Sequence, residues 1–156
     1  MTALTSGTRD YLAAAETCPD PLQKAQAMSA RLFRNFCYRS WTTNTATTAQ
    51  QALDQGCGVC QDYAHIFIAL CRLCGVPARY AAGFMFGEGV THAWAEVYDG
   101  SGWIGIDPTN NRMTGDEYIK ICDGRDAPDC IINKGVFFGS VAQHQTVHVK
   151  VTEAEQ

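Results

Sequence analysis

The chain has 156 residues, 46% apolar and 18% charged, with a net charge of −4, a profile that predicts one globular domain over 1–156 able to bury its own core. The basic residues are scattered, so no nucleic-acid or membrane surface is expected, and the longest apolar run, "IFIALC", is far too short to span a bilayer. The start, "MTALTSGTRDYLAAAETCPD", has no basic segment followed by an apolar one, which leads us to expect no signal peptide and a cytoplasmic setting with reduced thiols for the eight cysteines.

Thr8 to Glu16 is predicted as a short helix ended by "TCPDP". Asp20 is then placed as an N-cap with Pro21 at the first helical position. From Pro21 to about Tyr38, Leu22, Ala25, Met28, Ala30, Leu32, Phe33 and Phe36 recur at helical spacing. "RSWTTNTATT" reads as a polar loop, and "TTAQQALDQG" as one or two helical turns closed by Gly56. Val59 to Cys74 is the most apolar helix candidate. Its polar residues are Gln61, Asp62, His65 and Arg72, and Gln61, His65 and Arg72 fall within a narrow stripe. Most of that helix surface is therefore expected to be buried, with Gly75 as the C-cap and Pro77 beyond it.

The second half changes period. "ARYAAGFMF", "THAWAEVY" and "WIGID" alternate apolar with polar or small residues and read as strands, and "DGSG" at 99–102 reads as a hairpin turn. "CIINKGVFFG" and "TVHVKV" are predicted as two further strands. Helices followed by strands indicate an α+β fold with an antiparallel sheet.

Within "GCGVCQDYAHIFIALCRLC" stand two Cys-x-x-Cys pairs, Cys57 with Cys60 and Cys71 with Cys74. As a string they resemble a four-cysteine zinc pattern. On one continuous helix, however, Cys60 and Cys71 are roughly 16 Å apart along the axis, too far for one ion bound at about 2.3 Å from each sulfur. "QDYAHIFIAL" also holds no Gly, Pro, Asn or Ser to make the turns of a zinc ribbon. A thioredoxin-like dithiol needs a buried strand just upstream, and "TTAQQALDQG" is polar. A reversible Cys57–Cys60 disulfide stays open as a side reaction. Cys71 and Cys74, beside Leu70 and Leu73, read as core packing.

A nucleophilic thiol is favoured at a helix N-terminus beside a histidine, with a third group to orient that base. Cys60 falls in the first turn of the core helix, after two glycines. Of the four histidines, His65 points about 140° away from Cys60 on the same helix. His144 and His148 lie near the end of the chain, with His148 placed as an exposed strand residue between Val147 and Val149. His92 opens the strand "HAWAEVY" after "FGEGVT". If Tyr98 pairs with Trp103 across the hairpin, Trp94 pairs with Asp107, and His92, Trp94 and Asp107 share one face. His92 and Asp107 are then diagonal neighbours about 7–8 Å apart at the backbone, close enough for a hydrogen bond. Asp107 also reads as a plain turn aspartate before Pro108.

These stretches resemble a known family. "GVCQDYAHIFIALCRLCGVPARYAAGF", "THAWAEVY" and "GWIGIDPTNN" are similar, in order, to the Gly-x-Cys-x-Asp-x-Ala, His-Ala-Trp-x-Glu-Val and Trp-x-x-x-Asp-Pro-Thr motifs of bacterial transglutaminase-like domains, the transglutaminase-like cysteine proteases. "YIKICDGRDAPDCIINKGVFFG" resembles the family's Gly-Arg-Asp segment, and the likeness covers roughly residues 20–150. The resemblance implies a cysteine-proteinase-like α+β fold with the Cys helix packed on an antiparallel sheet. It implies Cys60 as nucleophile, His92 as general base and acid, and Asp107 as the group that orients His92. It implies acyl transfer through a thioester on a peptide or protein substrate, with no metal or organic cofactor. Hydrolysis is expected over transamidation to an amine, and a non-catalytic binding module of the same fold is the alternative from another class. The backbone N–H of Cys60 is the expected first oxyanion donor, with Tyr38, Trp41 and Asn44 considered for the second. Two departures stand out. Many bacterial relatives carry an N-terminal β-rich region that this sequence begins without, so contacts made there are expected to be absent or supplied differently. Ala127-Pro128 also follows the Gly-Arg-Asp segment where relatives often have Tyr and another residue.

Overall fold

The computed structural model of the chain describes residues 3–131, 138–140, 142, 146 and 148–152. The first helix, α1, covers Arg9–Ala13 and is shorter than the span expected. Thr8 stands at its N-cap without a side-chain cap bond, and residues 14–17 continue as turns. The second, α2, runs Pro21–Asn35, with Asp20 extended and its Oδ1 accepting the Gln23 N–H at 2.8 Å. It ends before Tyr38. Phe36 turns extended, and Cys37–Tyr38 form a short strand, β1, parallel to β2 (Cys57–Gly58). That pairing and the bonds Cys37 N–H to Gly56 O (3.0 Å) and Arg39 N–H to Gly58 O (2.8 Å) take backbone groups that helix continuation would need. Phe36 stays in the core, edge-on to Tyr63 at 4.8 Å, and the Tyr63 hydroxyl donates to its carbonyl at 2.6 Å.

After the loop 39–48, Thr48 and Gln51 form a reciprocal capping box on α3, Ala49–Gln55. The core helix α4 then covers Cys60–Leu73, with Val59 as N-cap and Cys74 as C-cap. Every residue from Asp62 to Cys71 is buried, because α2 and α3 cover one side of the helix and strands cover the other. The polar stripe of the sequence is corrected at His65, which is fully buried; Gln61 and Arg72, near the two ends, keep partial exposure.

The strands are β3 (Ala78–Met85), β4 (Gly87–Gly89), β5 (His92–Tyr98), β6 (Trp103–Asp107), β7 (Arg112–Met113), β8 (Tyr118–Gly124) and β9 (Val149–Val151). Five form an antiparallel sheet in the order β7-β6-β5-β3-β8, and β4 pairs with β9 separately. Tyr98 pairs with Trp103, the register on which the parity argument rests. The Asp99 carboxylate closes the hairpin by accepting the Ser101 and Gly102 N–H groups at 2.7 and 2.9 Å.

Strand β8 is absent from the elements expected, and its pairing explains why. Cys122 pairs with Ala82 and Lys120 with Gly83, so the ladder skips Ile121 and period-two alternation breaks mid-strand. The expected strand "CIINKGVFFG" is not one where it is described. Cys130 closes a 3-10 turn, Ala127–Cys130, whose own i→i+3 pattern replaces ladder pairing there, and 132–137 lie outside the described residues. Of "TVHVKV", Val149–Val151 form β9, His148 is exposed just before it, and Val147 lies outside the described residues, as does His144.

One apolar core joins helices to sheet. Met28 and Leu32 of α2, Ile66, Phe67, Ile68 and Leu70 of α4, and Val97 and Ile106 of the sheet have almost no exposure. Each such side chain contributes roughly 1.5–3 kcal/mol of burial free energy. This packing holds the amino end of α4 against the start of β5. Among the described residues no helix is long and apolar enough to cross a membrane.

Candidate active site

Cys60 is the first residue of α4, at the positive end of the helix dipole. A small framework fixes it there. The buried Asp62 accepts the Val59 N–H at 2.8 Å and the Thr43 hydroxyl through the same Oδ2, joining the loop 39–48 to the helix start. Gly58 leaves room for this: a Cβ there would lie 2.5 Å from that oxygen. The spacing Gly58-x-Cys60-x-Asp62 is thus a packing requirement around the helix start.

His92 opens β5 across from Gly83 of β3. Its side chain is 12% exposed and Asp107's is 0% exposed, and Nε2 lies 2.8 Å from Asp107 Oδ2. That contact leaves Nδ1 for the sulfur side of the ring. Asp107 ends β6, and its two oxygens divide the work. Oδ1 accepts the Thr109 and Asn110 N–H groups at 2.9 and 3.3 Å, the turn expected before Pro108. Oδ2 accepts from His92, from Asn110 Nδ2 at 2.7 Å and from the Tyr118 hydroxyl at 2.7 Å. Both readings of Asp107, turn residue and histidine partner, are realised at once.

The electrostatics follow. Burial works against a charged His92, but hydrogen bonds to Asp107 and Cys60 and the charges of both outweigh it, and its pKa is pushed up to about 9. Burial works against a charged Asp107, yet the His92, Asn110 and Tyr118 hydrogen bonds hold its carboxyl below the usual range. The structure therefore brings His92 and Asp107 into direct contact and sets Cys60 against the same imidazole.

Cys60 and His92 open on one cleft of about 560 Å³, walled by Tyr38, Val59, Tyr80 and Pro128 among others. Among the described residues no Asp, Glu, Lys or Arg lines it. Ala127 and Pro128, the departure noted after the Gly-Arg-Asp segment, belong to this wall. Of the three residues considered as oxyanion donors, Tyr38, which lies in β1, lines the cleft, and Trp41 and Asn44 of the loop do not. Trp41 is wholly exposed, and Asn44 spends its side chain on the Ala46 N–H at 2.8 Å.

The remaining residues singled out lie elsewhere. Cys71 is fully buried, and burial raises its pKa; the Cys74 sulfur packs 3.8 Å from that of Met28. Cys57 is buried in β2 behind the helix start. His65, inside the core, has neither ring nitrogen hydrogen-bonded among the described residues, and burial brings its pKa down to about 4. Sequence reasoning missed Asn110 and Tyr118. Asn110 stood in the quoted "DPTNN", where an Asx turn would have flagged it; Tyr118 carried no signal until β8 was paired.

Residues 10–108, a span that contains Cys60, His92 and Asp107, match the family model described as the transglutaminase-like superfamily. An uncharacterized protein of Mycobacterium leprae (strain TN) is 35% identical over 141 residues, covering 83% of this chain and 50% of that protein. An uncharacterized protein of Mycobacterium tuberculosis (strain H37Rv) is 30% identical over 165 residues, covering 95% of this chain and 52% of that protein. The chain spans about half the length of these curated relatives. Among solved structures, a "putative cysteine protease" from Cytophaga hutchinsonii superposes with a TM-score of 0.72 at 33% identity, over 80% of this chain and 44% of that one. The periplasmic domain of TgpA from Pseudomonas aeruginosa bound to ethylmercury gives a TM-score of 0.51 at 26% identity, over 69% and 46%.

Proposed function

The chain belongs to the transglutaminase-like superfamily, and from that premise we propose that it is a cysteine-nucleophile acyl-transfer enzyme acting on peptide or carboxamide bonds, a peptidase or amidohydrolase. One observation carries the reading: the His92 imidazole is held at 2.8 Å by the buried Asp107 and faces Cys60 at the amino end of α4, on an open cleft.

In this reading the Cys60 thiolate adds to the substrate carbonyl carbon, and the oxyanion takes a hydrogen bond from the Cys60 N–H. Tyr38 supplies the second donor. Burial first, and then the nearby Cys60, raise its pKa, so the hydroxyl keeps its proton. The C–N bond breaks as the protonated His92 gives its proton to the departing amine, leaving a thioester on Cys60. Water then adds to the thioester while His92 takes its proton. Collapse releases the carboxylic acid and returns the thiolate. Asp107 keeps the imidazole turned toward the sulfur throughout.

The absence of charged side chains from the described cleft wall supports an uncharged substrate segment next to the scissile bond. Its openness to water supports hydrolysis over transfer to an amine. A cytoplasmic setting, the expectation from the sequence, is part of this reading; fractionation of cells making the full-length protein tests that placement.

The decisive experiment incubates the protein with a peptide and glutamine-donor library and reads intact mass. A thioester adduct on Cys60, discharged by water with or without added primary amine, is the expected result. An adduct discharged only by the amine would make the enzyme a transglutaminase. No adduct, with Cys60 alkylated as slowly by iodoacetamide as Cys71, would make the chain a binding module.

A further inference from the structure

Asp107 carries more donors than a carboxylate has good positions for. Thr109 N–H, Asn110 N–H, Asn110 Nδ2, His92 Nε2 and the Tyr118 hydroxyl all converge on it, and a carboxylate offers about four lone-pair sites. Three of these donors share Oδ2, the oxygen that faces His92. Whatever Tyr118 takes from that oxygen is withdrawn from the imidazole.

Tyr118 is built to do this. Met85, its pairing partner on β3, lies two residues from Gly83, which pairs with His92, so Tyr118 falls on the sheet face that His92 and Asp107 share. Its ring packs edge-on to Trp94 at 5.4 Å and lies 6.1 Å from the His92 ring. A phenylalanine would supply those contacts, so they do not explain the hydroxyl. Arg112 does. Its Nε–H donates to the Tyr118 oxygen at 2.8 Å, leaving the tyrosine's own proton to point at Asp107, and its guanidinium lies 5.2 Å from the ring centroid. Burial and the Asp107 charge keep that hydroxyl protonated.

We infer that Tyr118, oriented by Arg112, is a positioning residue for the His92–Asp107 pair: it moderates the Asp107 oxygen that His92 uses and holds that oxygen in place. The inference rests on the proposed acid–base role of His92. The groups that act on the imidazole are Cys60 from α4, Asp107 from β6 and Tyr118 from β8, with Arg112 of β7 behind Tyr118 and Glu117 3.3 Å from Arg112. Strand β3 presents Gly83 to His92, and its Tyr80 shares the cleft wall, where burial and the nearby Cys60 keep the hydroxyl protonated.

The test is the titration midpoint of the His92 ring, followed by NMR in the full chain without any turnover. In Tyr118→Phe, Asp107 keeps more of its charge for the imidazole, and the midpoint is expected to rise by about half a pH unit. Arg112→Met, which alters an exposed side chain and keeps Tyr118, should raise it by less. It carries the test by itself if Tyr118→Phe does not fold. In turnover assays kcat should fall by several-fold with KM unchanged, because the reacting groups and not the binding wall are disturbed. A midpoint that stays put or falls in folded variants overturns the inference. Failure of the underlying reading shows separately, as a His92→Ala variant whose Cys60 is alkylated at the wild-type rate.

Discussion

The two ends of α4 carry the same Cys-x-x-Cys spacing in opposite surroundings. At the amino end Cys60 is half-buried, opens on a cleft and faces His92, with Asp62 tying the helix start to the preceding loop. At the carboxyl end Cys71 is fully buried and Cys74 packs on Met28. Identical sequence spacing therefore says little about chemistry here. What separates the two sulfurs is which end of the helix dipole they occupy and what the sheet brings to meet them.

Substitution at each end should separate the two roles most sharply. Cys60→Ala is expected to lower turnover by at least about 10³-fold while leaving thermal stability nearly unchanged. Cys71→Ala should leave turnover intact and cost about 1 kcal/mol of stability, read by urea unfolding. Equal losses of turnover would erase the distinction between the ends.

Midway between them, His65 makes the helix interior pH-sensitive. Its folded pKa of about 4 lies below the ordinary 6.5, so the unfolded chain takes up the proton first as pH falls. Stability should be full above about 6.5 and decline toward pH 4 by up to about 3 kcal/mol. In His65→Leu, urea midpoints should lose that dependence. His92 has the opposite sign: its raised pKa contributes stability below about 6.5 that is lost as pH climbs through about 9.

Glycine-to-alanine changes at the two ends should both destabilise, for different reasons. In Gly58→Ala the new methyl meets the Asp62 carboxylate at 2.5 Å, at a cost of about 1–3 kcal/mol together with a loss of turnover as the helix start shifts. Gly75 has φ +71 and open space around it, so Gly75→Ala should cost only the left-handed strain, about 1 kcal/mol, with turnover unchanged. Thermal melts and rates on both variants check this.

The smallest expected effect concerns the pH profile. kcat/KM should fall on the alkaline side near pH 9 as His92 loses its proton. Asp107→Asn removes a hydrogen bond and a charge that raise that pKa, so the alkaline limb should move down toward 6.5 along with the drop in rate. A limb that stays near 9 would detach Asp107 from His92.

Much of the frame was legible because its signals are local. Val59 to Cys74 reads as a buried helix from an apolar run between "CGV" and Gly75, and the "DGSG" turn sets the hairpin register and with it the shared face of His92 and Asp107. Other parts were not. Phe36 continues a helical apolar period and yet the chain turns extended there, because β2, twenty residues on, takes the backbone. Ile121 looks like a core position and is exposed where the ladder skips it beside Ala82 and Gly83, and Ile119, paired with Phe84, is exposed on the outer strand of the sheet.

By itself the sequence determined the helix-then-strand order, the amino-end placement of Cys60 and the parity that puts His92 near Asp107. These depend on residue spacing and turn chemistry within a few positions of one another. Only the tertiary structure decided that His65 is sealed in the core, that Pro128 and Tyr38 wall the cleft, and that Tyr118 and Asn110 share the Asp107 carboxylate with His92. Those outcomes depend on contacts between strands and helices far apart in the chain, where a bulge of one residue changes which side chains meet.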